Sequence, residues 1–279
     1  MSVIIENKTI GTPNFNIVTN GSKLECGSAS LTAKRPIEKK VIKWVALGDS
    51  ITDLKGRPNN YPYWIAQRNP KVKLLYPNGM ADHGDFGVGG STISFDRGDD
   101  IKDFFTRAQQ IPDDIDMITV LGGVNDWNWS VALGTFTTEY DSVVRPKNQS
   151  TFYKGLYRLV YYLKNRFPNK PILFFTPMYA VQESFSNDKN GDGKTIFEYG
   201  NAMKEVCAHF SIPCFDLAKN AGLSFKFSTY RKNYCLDSAG NDSGSKFHPN
   251  AAGSNIISHV MEMEIIRVYE QFGGKWHDK

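Results

Sequence analysis

Four cysteines in 279 residues, Cys26, Cys207, Cys214 and Cys235, are too few and too scattered for a disulfide scaffold, and no two stand at the spacing of a metal-binding pair. Reduced, mostly buried thiols are expected. No apolar stretch reaches the ~20 residues that a membrane span needs. Met1 to Ile10 lacks the basic start and apolar core of a secretion signal. These features leave the compartment open between the cytoplasm and a mature form outside the cell or on a phage particle. Charge of one sign is scarce too: the net charge is +4, with no run of Lys and Arg interleaved with aromatics, so nucleic acid is not an expected partner. No grouping of His, Cys, Asp and Glu has metal-ligand spacing, and neither a metal nor a cofactor is expected. The segment Asp188-Lys189-Asn190-Gly191-Asp192-Gly193 opens like a calcium loop, but Tyr199 stands where that loop needs its bidentate Glu, so it reads as a polar turn.

What the chain does have is a hydrophobic content of 41% with 22% charged residues, enough for one sizeable core. Residues 1–40 are rich in Asn, Thr, Ser, Gly and Lys with short alternating pieces such as Phe15-Asn16-Ile17-Val18, and read as a β-rich or extended segment. Lys34 to Lys40, containing Pro36, reads as a linker into a main domain over 41–279. From Val41 onward apolar runs alternate with helical patterns. Strands are predicted at Ile42–Leu47, Val72–Tyr76, Met117–Leu121, Ile172–Thr176 and Pro213–Leu217. Helices are predicted at Tyr61–Arg68, Ile101–Gln110, Ser150–Phe167, Thr195–Phe210 and from Pro249 to Phe272. Such alternation implies a parallel sheet covered on both faces, whose ligands gather at the carboxyl ends of the strands.

Four polar blocks interrupt this pattern. Trp44-Val45-Ala46-Leu47 ends abruptly in Gly48-Asp49-Ser50, which brings a hydroxyl to the end of the first strand. Gly87-Val88-Gly89-Gly90-Ser91-Thr92, Gly122-Gly123-Val124-Asn125-Asp126 and His248-Pro249-Asn250 follow in order. Acyl transfer through serine needs a base for its proton and donors for the developing oxyanion, and these segments contain both. The Gly-x-Ser-x-Gly elbow of α/β-hydrolases is absent around Ser50.

In order and spacing the four blocks resemble the SGNH (GDSL) hydrolase family over about residues 43–271. The resemblance implies a flavodoxin-like three-layer α/β/α sandwich with a five-stranded parallel sheet, and a metal-independent serine esterase. It assigns Ser50 as nucleophile and His248 as base. The backbone N–H groups of Ser50 and Gly90 and the side-chain amide of Asn125 become the oxyanion hole. Trp127 and Trp129, directly after Asn125, are candidate substrate-binding rings, whereas Tyr61, Tyr63 and Trp64 read as packing of the first helix.

The chain departs from the family in one place. The usual aspartate three residues before the histidine is replaced by Ser245. Either Asp242 loops in to hold the imidazole, the reading adopted, or a backbone carbonyl holds it in a Ser-His dyad; Asp237 is a more distant substitute. The expected substrate is a short acyl ester, acetyl foremost, on a carbohydrate or other hydroxyl-bearing compound. A lipase, thioesterase or lysophospholipase on the same site, and an inactive SGNH-like binding domain, are the alternatives.

Overall fold

The computed structural model describes residues 24–26, 29–31, 41–76, 86–98, 103–238 and 246–277. The chain divides into two units, Met1–Lys40 and Val41–Lys279. In the first, β1 (Leu24–Cys26) and β2 (Ala29–Leu31) pair antiparallel. The predicted pieces at 15–18 and the linker at 34–40 lie outside the described residues, as do Asp242 and Ser245.

The second unit is a three-layer α/β/α sandwich around a parallel sheet. Its strands are β3 (Ile42–Gly48), β4 (Val72–Leu74), β5 (Phe86–Gly87), β6 (Met117–Leu121), β7 (Ile172–Phe175) and β8 (Cys214–Phe215). The order is β4-β3-β6-β7-β8, with β5 also paired to β3. The sheet therefore has six strands where five are predicted. The extra one completes an edge: β4 pairs with Ile42 to Trp44 of β3, and β5 pairs with Leu47 and Gly48 at the other end. With only two residues, β5 carries no periodicity from which a strand could be predicted.

Helices cover the sheet. They are α1 (Tyr61–Arg68), α2 (Phe104–Ala108), α3 (Val124–Asn128), α4 (Phe152–Arg166), α5 (Ile196–His209), α6 (Leu217–Asn220), α7 (Ser228–Tyr234) and α8 (Ala251–Gln271). Packing pairs α1 with α8, and α4 with both α2 and α5. Every residue of β6 and β7 is buried, which is why both read as unbroken apolar runs instead of alternating ones. The helix predicted from Pro249 begins at Ala251, because the Asn250 side chain accepts a hydrogen bond from the Gly253 N–H and caps it. Likewise α2 starts late, after Asp103 has capped it through the Thr106 N–H at 2.8 Å.

Between β3 and β6 the strand order reverses direction. Parallel sheets open a crevice at such a point, beyond the carboxyl ends of the two strands. Ser50 follows β3 and Asn125 follows β6, so the fold brings two of the four polar blocks to the same crevice.

Candidate active site

Ser50 stands on a turn tied at several points. The carbonyl of Asp49 accepts hydrogen bonds from the Thr52 and Asp53 N–H groups, both at 3.0 Å, and its carboxylate accepts from the Ile51 N–H at 2.9 Å. Asn60, just ahead of α1, donates its side-chain amide to the carbonyls of Ser50 and Asp53, both at 2.9 Å. These bonds leave the Ser50 hydroxyl oxygen 2.7 Å from Nε2 of His248, within reach for proton transfer.

The glycine block lies against this turn. A Cβ on Gly87 would come within 2.4 Å of the Asp53 backbone nitrogen, so only glycine lets β5 close on the Ser50 turn. Asp53 reaches back and accepts the Gly89 N–H at 3.2 Å. Gly90 has φ +77°, a left-handed backbone in which a side chain is strained, and its N–H makes no hydrogen bond among the described residues. The same is true of the Ser50 N–H. Asn125 donates one amide hydrogen to the Ser91 carbonyl at 2.8 Å, and the second remains available. These three donors are the set predicted for an oxyanion.

Two buried charged side chains hold the blocks in mutual register. The Arg107 guanidinium donates to the carbonyls of Gly48, at 2.9 Å, and Phe86, and to the Ser91 hydroxyl at 2.8 Å, thereby joining the ends of β3 and β5 to the glycine block. Asp126 accepts from the N–H groups of Ile93 and Ser94, at 2.9 and 3.0 Å, and from the Ser94 hydroxyl, tying the Asn125 block to the same loop. Burial raises the Asp126 carboxyl, against the lowering effect of these bonds. Asp49 is also fully buried, and burial pushes its carboxyl up to about 7 despite the Ile51 N–H and the nearby Arg107. Its second oxygen has no hydrogen-bond partner.

The structure corrects the predicted partner of His248. The imidazole Nδ1 lies 2.9 Å from both carboxylate oxygens of Asp237, eleven residues upstream. Asp242 lies outside the described residues, and the acceptor position that was assigned to it is filled by Asp237. One oxygen of Asp237 also accepts the N–H groups of Phe247, at 3.2 Å, and His248, at 2.9 Å. Burial alone would raise this carboxyl, but the bonds to His248 and the attraction of its ring hold it below the ordinary value. Lys246, buried, fixes the Asp237 carbonyl through its ammonium at 2.9 Å. A backbone bridge between Cys235 and Pro249 closes the segment. The eleven-residue separation ranks Asp237 behind Asp242 in the sequence, where it stands only as the more distant substitute before the Ser- and Gly-rich stretch in which the usual aspartate is missing.

Residues 46–256 match the model of the GDSL-like lipase/acylhydrolase family. The chain belongs to this family. Among solved structures, a Lactobacillus plantarum protein is 28% identical with a TM-score of 0.63, over 82% of this chain and 98% of its own. A Chitinophaga pinensis protein, 19% identical with a TM-score of 0.54, matches 84% of this chain and all of its own. Est24, a carbohydrate acetylesterase from Sinorhizobium meliloti, shares the fold at 13% identity and a TM-score of 0.51, over 81% of this chain and 99% of its own. A search of the curated proteins returns no match.

In this GDSL-like ester hydrolase the two tryptophans after Asn125 part company. Trp127 is 0% exposed, packs edge-on against Phe185 and donates its indole N–H to the Lys194 carbonyl, so it is a core residue and not the substrate-binding ring predicted for it. Trp129 is 41% exposed and lies under the guanidinium of Arg97, 4.3 Å from the ring centre. Asp188 and Asp192 are engaged as acceptors for the Tyr179 hydroxyl and the Leu133 N–H, as suits a polar turn. Among the described residues no group of three or more His, Cys, Asp and Glu could hold a metal ion, and no helix is long and apolar enough to cross a membrane.

Proposed function

We propose that the chain hydrolyses short acyl esters, acetyl esters foremost, through a Ser50-His248-Asp237 triad. The observation that carries this reading is the continuous line of hydrogen bonds from the Ser50 hydroxyl through both ring nitrogens of His248 to Asp237. The Ser50 oxygen attacks the ester carbonyl carbon as its proton passes to Nε2. The carbonyl oxygen, now negative, is held by the N–H groups of Ser50 and Gly90 and the free amide hydrogen of Asn125. Collapse expels the alcohol, which takes the proton from His248 and leaves the acyl group on Ser50. Water then adds to the acyl-enzyme in the same way, releasing the acid and restoring the hydroxyl. Asp237 keeps the Nδ1 proton in place, so that Nε2 is free to accept.

The alternative of an inactive binding domain rests on the missing aspartate before His248, and Asp237 at Nδ1 removes that ground. For the alcohol, the exposed face of Trp129 beside the Asn125 block favours a ring-bearing partner such as a sugar, since flat aromatic faces stack on sugar rings. Est24, on the same fold, acts on acetylated carbohydrate.

The test combines active-site labelling with a chain-length series. A fluorophosphonate probe should label the wild type at Ser50, as mapped by mass spectrometry, and Ser50→Ala should lower acetyl-ester hydrolysis by about 10³-fold or more. An adduct on another residue overturns the nucleophile. A kcat/KM that climbs from acetate to octanoate esters replaces the acetylesterase with a lipase.

A further inference from the structure

Two arginines border the proposed oxyanion hole, and each contacts the carbonyl of one of its donor residues. Arg97 donates to the Gly90 carbonyl at 3.0 Å, and Arg57 to the Ser50 carbonyl at 3.4 Å. The glycine block lies against the Ser50 turn, where a Cβ on Gly89 would stand 3.9 Å from Cβ of Ser50. Among the described residues neither guanidinium forms a salt bridge with a carboxylate, although the Arg57 charge acts on the buried Asp49; Asp96, the acid beside Arg97 in sequence, accepts the Gly98 N–H at 2.9 Å. Arg97 also lies over the Trp129 ring, its Cζ 4.3 Å from the centre, and its N–H groups other than the one donated to Gly90 have no acceptor among the described residues. Trp129 in turn closes α3, the helix that carries Asn125. The assembly is thus a half-exposed cation beside the proposed ester site, built on the same loops as the oxyanion donors.

We propose that Arg97, seated on Trp129 and supported by the charge of Arg57, is a subsite for an oxyanion group on the substrate, so that this hydrolase prefers acyl esters whose alcohol carries a carboxylate or phosphate. A planar guanidinium with unused donors recognises such groups through paired charge-assisted bonds. The inference rests on the esterase reading above and narrows its substrate class.

The experiment uses matched probes: 4-acetoxybenzoate and 4-acetoxyphenyl phosphate against neutral 4-acetoxybenzamide. Wild-type kcat/KM should favour at least one anion over the amide by about tenfold, and the two anions separate carboxylate from phosphate recognition. In Arg97→Gln that ratio should fall to about one, whatever the change in the amide rate, while Arg97→Lys should keep part of it. An equal loss on all three esters in Arg97→Gln, or a wild-type ratio of one or less, overturns the subsite, since Arg97 would then only brace Gly90. Calorimetric binding of the same probes to Ser50→Ala reads the preference without turnover. A preserved anion preference with no hydrolysis by the wild type defeats the esterase reading alone, and equal binding of all three probes defeats the subsite.

Discussion

The two halves of the proposed catalytic site are built on different principles. The nucleophile half, Ser50 with Gly90 and Asn125, sits at the ends of β3, β5 and β6, where buried polar side chains lock three loops together: Arg107 from α2, Asp126 from α3 and Asn60 ahead of α1. The base half, Asp237 and His248, lies on one stretch of chain outside the sheet. It is held by backbone bridges from Cys235 to Pro249 and from Val181 to Lys246, and by the Asp237 carboxylate itself, which accepts from the chain that carries its partner. Precision in the first half comes from the sheet. In the second, the residue that orients the imidazole also folds the loop.

That contrast can be broken by experiment. The largest effect is expected in the base half, where Asp237→Ala should cost about 10³-fold in acetyl-ester kcat, because the imidazole loses both tautomer control and its anchoring loop. Asp242→Ala should cost less than about threefold. A steep loss in Asp242→Ala with Asp237→Ala near normal reverses the assignment, and steady-state rates of the two variants on one substrate are enough to tell.

In the nucleophile half, Asn125→Ala should lower kcat by about 10²-fold with KM little changed, the sign of a donor used only in the transition state. A lower melting temperature with normal kcat per folded molecule would make Asn125 a turn residue. Next in size is Arg107→Lys. An ammonium cannot span the Gly48 carbonyl, the Phe86 carbonyl and the Ser91 hydroxyl as the guanidinium does. A fall of about tenfold in kcat is expected, accompanied by a lower melting temperature; the corresponding Lys246→Met change in the base half should leave the melting temperature less affected.

The smallest effect concerns Asp49 and pH. Burial raises its carboxyl to about 7 from the ordinary 3.8. Below about pH 4 both folded and unfolded chains hold this proton, and its stabilising contribution is complete. As pH rises from 4 toward 7 only the unfolded chain gives the proton up, so stability falls, and above 7 the loss is constant. Asp49→Asn removes this dependence. Its melting temperature relative to wild type should therefore climb by about 2–6 °C between pH 5 and pH 8; a flat difference would mean that Asp49 is ionised in the folded protein.

The same division governs what could be read from the chain alone. Strands β3, β6 and β7 announce themselves because both of their faces are buried, so apolar residues run without alternation. Ser50 and Asn125 stand after such strands, and their roles, like that of Gly90, follow from the family resemblance of the blocks that contain them. Asp237 stands there only as a distant substitute for Asp242, because its approach to His248 depends on backbone bridges that leave no mark on residue type. Trp127 and Trp129 are told apart by α3, a five-residue helix too short to be predicted, which buries Trp127 and ends at Trp129. Nothing in the sequence sets Arg107 apart from the rest of the 33 Lys and Arg residues, yet it is wholly buried.

The bridge between Cys235 and Pro249 has a consequence for engineering and for descent. Because the chain is pinned at both feet, with Asp237 and His248 just inside, the length of what runs between them is decoupled from the geometry of the pair. Loop closure grows only logarithmically with length, about 0.6 kcal/mol for each doubling, so insertions there should be cheap. A spacing of three residues between aspartate and histidine is then only one solution among many, and this stretch is where new recognition elements can be added beside the catalytic imidazole without retuning it.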